Sequence, residues 1–311
     1  MKRALFPVTA IAFVCAAILA APPAEAQSRV FVAAQGSDSN PCTFAQPCRS
    51  FQQAHDTVTA RGEIDVLDPA GYGALTITKS ISIQGHGFAG LAVPSGDGIT
   101  VNAGPGDEIS VRGLLLDGVG TGANGIVFNS GGSLNVQDCL IRNFGNRGIT
   151  FPPAATSSLF VSNTILFDNA ATGIGINPTA AGIITVILDH VVSENNGVNG
   201  ITVQVAIAAT ATVVATIDNS VSAGNASNGI LISVSTSGSV KAMVRNSTLA
   251  RNDTGLLVSG SNATAWISRC GVIGNTTGLS ALSSGNLLSY GDNNVNGNTT
   301  DGTPSGTATP L

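Results

Sequence analysis

The chain repeats one pattern of hydrophobic and polar positions, a glycine followed by isoleucine or leucine between short alternating segments. The pair occurs eight times at intervals of 23 to 29 residues: Gly98-Ile99, Gly125-Ile126, Gly148-Ile149, Gly173-Ile174, Gly200-Ile201, Gly229-Ile230, Gly255-Leu256 and Gly278-Leu279. Self-similarity at such a period predicts a solenoid, in which each repeat stacks on its neighbours. The segments between the pairs alternate β-branched and polar residues, which is typical of short strands.

Stacked repeats place equivalent residues in columns, because parallel strands pair about 4.8 Å apart. We predict an inward apolar column and a turn column of asparagines, with glycine and asparagine at the corners because both accept positive φ. The inward column contains Val136, Val161, Ile187, Ile217, Val244 and Ile267, and the turn column contains Asn143, Asn169, Asn195, Asn225, Asn252 and Asn275.

The N-terminal residues differ from the repeats. Lys2 and Arg3 precede an apolar run over 4–21, and a small-x-small site ends at Ala26. This layout predicts a secretory signal peptide at 1–26, and therefore a secreted or periplasmic protein with no membrane span after cleavage. A retained membrane anchor is the alternative, although the run is short for a bilayer span and ends in two prolines.

Three further segments follow the signal peptide. Residues 27–62 contain a predicted first strand, a polar loop, and a helix that starts after Ser50 and would cover the open end of the solenoid. His55 and Asp56 of this helix are expected to face solvent. Residues 63–298 form the repeats, and 299–311, which lack an apolar pattern, are predicted to be a disordered tail.

The cysteines fit an exported protein. Cys42 and Cys48 lie in a short loop bounded by prolines, and in an exported protein such a pair favours a disulfide. A metal site would need two further ligands, which this segment does not offer. Cys139 and Cys270 are five coils apart, about 24 Å, so they are predicted to be buried free thiols. His190 falls in the same column and is predicted to be a hydrogen-bonded core residue.

Composition narrows the choice of partner. Of the 311 residues, 43% are hydrophobic and only 10% are charged, with a formal net charge of -5. So few cations give the chain little with which to bind a polyanion, and nucleic-acid binding is not expected. A solenoid of this length can bury one continuous core, and we expect a monomer.

Several features resemble right-handed parallel β-helix proteins of the pectin-lyase-like superfamily over about residues 29–298. They are the asparagine turn, the Gly-Ile strand start, and the segments Gly36-Ser37-Asp38-Ser39-Asn40-Pro41-Cys42 and Pro47-Cys48-Arg49-Ser50-Phe51. The resemblance implies an all-β fold, a right-handed parallel β-helix with a short N-terminal capping helix. A barrel or sandwich is the alternative, but neither requires an asparagine corner in every coil.

The resemblance also implies that an active member acts on acidic polysaccharides. Such a member would use a calcium-binding carboxylate cluster with a basic arginine or lysine, or aspartates on neighbouring coils. The hydrolases show Asp-Asp, Gly-His-Gly and Arg-x-Lys motifs, and the first and last do not occur in this sequence. Gly85-His86-Gly87 does occur, at a strand end where Gly-x-Gly commonly makes a corner, so we interpret it as a turn.

The best candidate for chemistry is a pair of carboxylates. Asp168 and Glu194 are aligned at the same repeat position on adjacent coils, with Arg142 near that level and Arg147 in the following turn. Two carboxylates about 5 Å apart could act as the acid and nucleophile of a retaining glycosidase, or share a hard cation. The simpler interpretation is that both are solvated corner residues and that Arg142 pairs with Asp168.

Three functions remain open from the sequence. The first is an exported protein that associates with an extracellular polysaccharide or cell-surface glycan, with no or weak catalysis and no cofactor. The second is a polysaccharide lyase or glycoside hydrolase that uses Asp168 and Glu194 with Arg142 or Arg147, where a lyase would employ calcium. The third is a structural or adhesive surface rod. The missing catalytic motifs favour the first.

Overall fold

The chain folds as a parallel β-helix in a computed structural model that describes residues 27–206, 209–235 and 237–309. The predicted signal peptide lies outside these residues. One sheet contains 19 strands and the other contains nine, with parallel pairing throughout the described residues. Both the all-β class and the single short helix agree with the prediction.

The elements follow one another around the solenoid. In chain order they are β1 (Gln27–Val32), α1 (Phe51–Thr57), β2 (Val58–Val66), β3 (Leu75–Ile77), β4 (Ile81–Ala92), β5 (Ile99–Asn102), β6 (Glu108–Asp117), β7 (Ile126–Ser130), β8 (Ser133–Gln137), β9 (Leu140–Arg142), β10 (Ile149–Phe151), β11 (Ser157–Ser162), β12 (Ile165–Phe167), β13 (Ile174–Ile176), β14 (Ile183–Asp189), β15 (Val192–Glu194), β16 (Ile201–Val205), β17 (Thr212–Asp218), β18 (Val221–Ala223), β19 (Asn228–Val234), β20 (Ser239–Arg245), β21 (Thr248–Ala250), β22 (Thr254–Ser259), β23 (Ala263–Ser268), β24 (Gly271–Ile273), β25 (Thr277–Leu282), β26 (Asn286–Ser289), β27 (Asn294–Val295) and β28 (Gly306–Thr307). The nine-stranded sheet runs from β3 to β25.

Most coils combine a long strand, a three-residue strand and a strand of the nine-stranded sheet. In the coil of β11, β12 and β13, Asn163 and Asp168 form the two bends, with φ of 47° and 55°. Asparagine and aspartate adopt this left-handed conformation more readily than other non-glycine residues. The first bend is taken by Asp138, Asn163, His190, Asn219, Asn246 and Arg269, and the second by Asn143, Asp168, Asn195, Gly224, Arg251 and Gly274.

The inward column of the long strands confirms the predicted core except in one coil. It contains Val136, Val161, Leu188, Ile217, Val244 and Ile267, all fully buried. Ile187, which we predicted in this column, instead points outward and is 42% exposed. The coil of β14 is therefore shifted by one residue from the sequence alignment.

The shift arises because the sequence alignment put Asp189 at the first bend, whereas Asp189 is the last residue of β14, opposite Ser162, and His190 forms the bend. His190 takes the left-handed position, with φ of 54°, and Val191 enters the core in its place. The His190 side chain is 59% exposed, and its Nδ1 lies 3.0 Å from Asp189 Oδ1. The prediction of a core histidine is wrong.

A column of buried asparagines lies directly after the second bend. In the four members after the first, the Oδ1 accepts hydrogen bonds from the backbone N–H and Nδ2 of the asparagine one coil earlier, at 2.9–3.3 Å. Asn143 and Asn195, which we predicted in this column, occupy the second bend instead. The members are Asn169, Asn196, Asn225, Asn252 and Asn275, which we call the asparagine ladder.

Five of the eight glycines of the repeated pairs lie against this asparagine ladder: Gly148, Gly173, Gly200, Gly229 and Gly255. All eight have φ outside the left-handed region, so the expectation that these corners need positive φ is wrong. Close approach requires the glycine instead: a Cβ on Gly229 would lie 2.7 Å from Asn252 Nδ2 and 2.7 Å from the Gly255 carbonyl oxygen. The repeated Gly-aliphatic pair therefore reflects a close contact between neighbouring coils.

Helix α1 covers the N-terminal end of the solenoid. Ser50 caps its first turn, and Phe51 and Ala54 are fully buried. His55 is only 3% exposed, and its Nε2 accepts the N–H of Thr78 at 3.2 Å. The expectation that His55 faces solvent is wrong, because this part of α1 packs on β3.

The N-terminal loop is tied to the first coil. Cys42 and Cys48 form the predicted disulfide. The Phe31 N–H donates to the Cys42 carbonyl at 2.8 Å, and the Cys48 N–H donates to the Phe31 carbonyl at 2.9 Å. Strand β1 in turn pairs with β2, with Val30 opposite Ile64. The loop and β1 therefore extend the solenoid.

The last described residues also pair with the solenoid. Thr300 bridges Thr277, and β28 pairs with β26. The Ser305 Oγ accepts the Leu287 N–H at 2.7 Å. The prediction of a disordered tail is wrong for these residues. The segment has no apolar pattern, but backbone hydrogen bonds to the last coil hold it in place.

The two free cysteines give a first testable prediction. Cys139 and Cys270 are buried and unbridged, as expected, and burial raises the pKa of Cys139 to about 12 and that of Cys270 to about 11. Because the thiolate is the reactive form, we expect the folded protein to resist an aromatic disulfide reagent. After denaturation, the protein without the predicted signal peptide, and therefore without Cys15, releases two equivalents of the aromatic thiolate. Rapid labelling of the folded protein would contradict this burial.

Candidate functional site

A groove runs along the outer face of the nine-stranded sheet, and we call it the Arg147 groove. Two adjoining depressions of about 180 and 450 Å³ share Gln204 and Leu231. Strand register places two outward columns at its floor, one of Thr150, Gly175, Thr202, Leu231 and Leu257, and one of Asn177, Gln204, Ser233 and Ser259. The outer face is thus lined by hydroxyl, amide and some apolar side chains.

Arg147 enters the groove from the corner before β10. Its backbone N–H donates to Asn124 Oδ1 at 3.3 Å, which holds the corner. Its side chain passes over Gly175, where a Cβ would lie 3.3 Å from the Arg147 Cδ. Thr150 and Thr202 flank Gly175 in the same column, so the glycine leaves the space that the arginine fills.

The Arg147 guanidinium lacks a carboxylate partner. Its Nε is buried without a hydrogen bond, and no carboxylate in the described ranges lies within 4.0 Å. Four other arginines form ion pairs with carboxylates: Arg29, Arg112, Arg142 and Arg245. A partly buried charge without a partner is costly, so this position favours an anion from outside the chain.

Two more polar atoms of the groove have no partner among the described residues. They are Asn177 Oδ1 and Ser233 Oγ, and Ser233 is only 8% exposed. A fourth unpaired atom, Asn135 Oδ1, lies on the other sheet. Because most buried polar atoms are hydrogen-bonded, three unpaired atoms in one groove indicate a site for a polar ligand.

The predicted carboxylate pair lies at a different corner. Strand register places Glu194 opposite Phe167, while Asp168 forms the next residue, the exposed second bend. The two carboxylates therefore share a corner but not a repeat position, a consequence of the one-residue shift in the coil of β14. Arg142 lies opposite Phe167 on the other side, whereas Arg147 lies beyond the asparagine turn.

Arg142 is already engaged at this corner. Its Nε donates to Asp117 Oδ2 at 2.9 Å, and its guanidinium lies 5.8 Å from the Phe167 ring centre. Burial would raise the pKa of Asp117, but hydrogen bonds from the Val119 N–H, Asn143 and Arg142 outweigh it and lower that pKa. The interpretation that Arg142 neutralises Asp168 is therefore wrong, since its partner is Asp117. The catalytic roles of Asp168 and Glu194 stay predictions.

The donor set for calcium is not assembled at this corner. Over the described ranges, no group of three or more histidine, cysteine, aspartate or glutamate side chains is placed to hold a metal ion. Calcium prefers six to eight oxygen ligands, and Asp168 and Glu194 alone do not supply them.

A third cluster surrounds the Gly-His-Gly motif. His86 has φ of 57° and sits at the turn that we predicted. Its Nε2 lies 2.6 Å from Asp65 Oδ1, and the neighbouring Arg112 donates to Asp138 at 2.8 Å. Because each charge here has an internal partner, this depression of about 420 Å³ is a weaker ligand site than the Arg147 groove.

Sequence reasoning singled out Arg147 only as a partner of Asp168 and Glu194, and it missed the polar residues that surround Arg147 in this groove. Asn177, Gln204 and Ser233 each follow an inward apolar residue of the nine-stranded sheet. The sequence does contain a pattern that could have identified them, a polar residue after a buried aliphatic residue at the same position of successive coils. Only the strand register shows that these polar residues line the same groove as Arg147.

Comparisons with known proteins show the fold. No family model and no curated protein matches the chain. It is similar to an alginate lyase from Paenibacillus sp. str. FPU-7, with 14% identity, a TM-score of 0.60, and coverage of 87% of this chain and 97% of that one. It is also similar to pectate lyase Pel9A, with 17% identity, a TM-score of 0.46, and coverage of 86% and 70%. The fold is a right-handed parallel β-helix, as predicted.

The helix that the structure describes, α1, is neither long enough nor apolar enough to cross a bilayer.

Proposed function

We propose that this protein is exported and binds an acidic polysaccharide in the Arg147 groove without chemical turnover. The observation that carries the proposal is the Arg147 guanidinium, which is partly buried and has no carboxylate partner among the described residues. A sugar carboxylate would neutralise it through charge-assisted hydrogen bonds. The disulfide fits an oxidising compartment outside the cytoplasm.

The shape and lining of the groove also support a glycan. It extends over successive coils and is lined by amide and hydroxyl groups that can bond sugar hydroxyls. Leu231 and Leu257 present apolar surface suited to the C–H face of a sugar ring. The alginate lyase with the same fold is named for a polysaccharide, which agrees with this ligand class.

The lining of the groove supports binding without turnover. The described lining residues include one charged side chain, Arg147, and no carboxylate, histidine or tyrosine that could move a proton. Proton transfer by a positioned side chain is central to lyase and hydrolase chemistry. The lyase or hydrolase alternative therefore depends on Asp168 and Glu194 at the separate corner, and the surface-rod alternative needs neither site.

The proposal is tested by removing the groove cation. We expect Arg147→Gln to weaken binding of an acidic oligosaccharide by about tenfold to a hundredfold, because a hydrogen bond to a charged group contributes roughly 1.5–3 kcal/mol. Isothermal titration calorimetry against a panel of uronic-acid oligosaccharides measures this loss.

Lys241→Gln is the matched control. It removes the same charge from an exposed side chain on β20 in the other sheet, and we expect unchanged affinity. Equal effects of the two substitutions would mean that only net charge matters. Release of unsaturated or reducing ends by the wild-type protein, lost in Asp168→Ala, would favour the enzyme alternative.

A further inference from the structure

The Arg147 groove has an uneven distribution of charge along its length. Arg147 lies at the end nearest the N-terminus, and the described lining residues beyond it are uncharged. From β10 to β25 the groove spans six strands of the nine-stranded sheet, about 24 Å at the strand spacing. The groove is therefore long enough for several sugar units, and its described lining contains one cation, Arg147.

The neutral part of the groove is built to bond hydroxyl groups. Gln204 and Ser259 are half-buried at outward positions, and the Ser233 Oγ between them has no partner within the described chain. A hydroxyl can donate and accept, and so can the amide of Gln204. Leu231 and Leu257 lie beside this polar column. The described residues that line this part of the groove include no lysine or arginine that could bind a second carboxylate.

A fully charged glycan would fit this pattern poorly. A polyuronate carries a carboxylate on every sugar, and only one of them can reach Arg147. The others would lie over amides, serines and leucines, where a carboxylate loses water without gaining a cation. A chain with one acidic sugar followed by neutral sugars avoids that penalty and uses the whole groove.

We propose, on the basis of the proposed function, that the Arg147 groove selects a heteropolysaccharide segment in which one uronic acid is followed by neutral sugars. The uronic acid lies at Arg147, and the neutral units extend over Gln204 and Ser233 toward the C-terminal coils. The site therefore discriminates against homopolymers of uronic acid.

Three probes of four sugars each test this selectivity by calorimetry. They are an oligosaccharide of one glucuronic acid followed by three xylose units, tetragalacturonic acid, and neutral xylotetraose. We expect the singly charged probe to bind at least about tenfold more tightly than either of the others, and Arg147→Gln to remove its advantage over xylotetraose.

A second variant tests the neutral part of the groove. Ser259→Arg adds a cation two strands beyond Gln204, and we expect it to improve tetragalacturonic acid binding about fivefold or more with little change for the singly charged probe. Thermal unfolding confirms that the variant is folded. The same substitution at Ser82, on β4 in the other sheet, is the control and should leave all affinities unchanged.

The outcomes separate this inference from the proposed function. Tighter binding of tetragalacturonic acid than of the singly charged probe, with a loss in Arg147→Gln, would overturn the selectivity and retain an acidic-glycan site at Arg147. Equal binding of xylotetraose and the singly charged probe, or binding of none of the three, would overturn both.

Discussion

Gly229→Ala is expected to destabilise the protein by about 3 kcal/mol, a large effect for adding one methyl group. The added Cβ would lie 2.7 Å from the Gly255 carbonyl oxygen and 2.7 Å from Asn252 Nδ2. Neither neighbour can move freely, because the first is backbone of the next coil and the second is bonded to Asn275 Oδ1 at 3.2 Å. The coils must separate locally to accept the methyl group.

The measurement is the midpoint of denaturant unfolding, with Gly106→Ala as the matched control. No atom lies within 4 Å of a Cβ at Gly106, and its φ is outside the left-handed region. We expect the control to change stability by less than about 0.5 kcal/mol. Similar midpoints for both variants would show that close approach between coils is not what requires glycine in the repeated pairs.

The fold was predictable because, in a solenoid, the residues that contact the next coil recur at a nearly constant spacing along the sequence. The Gly-aliphatic pairs and polar corners recur once per coil, so a local pattern carries the long-range pairing. The physical reason assigned to the glycines was nevertheless wrong. Positive φ is a property of one residue, whereas the close approach of Gly229 to Asn252 exists only between two coils.

The candidate site was less predictable, because a column depends on exact register. The predicted alignment of the coil of β14 was wrong by one residue at the Asp189-His190 bend. This error predicted that Ile187 and His190 point inward and that Asp168 is aligned with Glu194. Strand pairing instead places Glu194 opposite Phe167. Side-chain direction alternates along a strand, so a shift of one residue reverses every assignment in that coil. Arg147 was predicted as a partner of the carboxylate pair, whereas its unpaired Nε in the groove depends on three-dimensional contacts that the sequence does not display.

Asn225→Ala is expected to reduce stability by about 3–5 kcal/mol, the largest effect among these predictions. The Asn225 Oδ1 accepts from the backbone N–H and Nδ2 of Asn196, both at 3.0 Å, and its Nδ2 donates to the Asn252 Oδ1 at 3.0 Å. Alanine leaves the Asn196 backbone N–H buried without a partner. It also removes one hydrogen bond each from the Asn196 Nδ2, which keeps the Ser193 Oγ, and from the Asn252 Oδ1, which keeps the backbone N–H of residue 225. Water has no open path to this part of the asparagine ladder, because Asn196 and Asn225 are only 1% and 2% exposed.

Two measurements distinguish this loss from a general effect of removing an amide. Denaturant unfolding of Asn225→Ala is compared with Asn296→Ala, an exposed asparagine for which we expect less than about 0.5 kcal/mol. Hydrogen exchange in the peptide that contains Asn196 should accelerate only in Asn225→Ala, because that backbone N–H loses its acceptor. Unchanged exchange with an unchanged midpoint would mean that the bonds between coils are replaceable by water, and that strand pairing and apolar stacking alone hold the solenoid together.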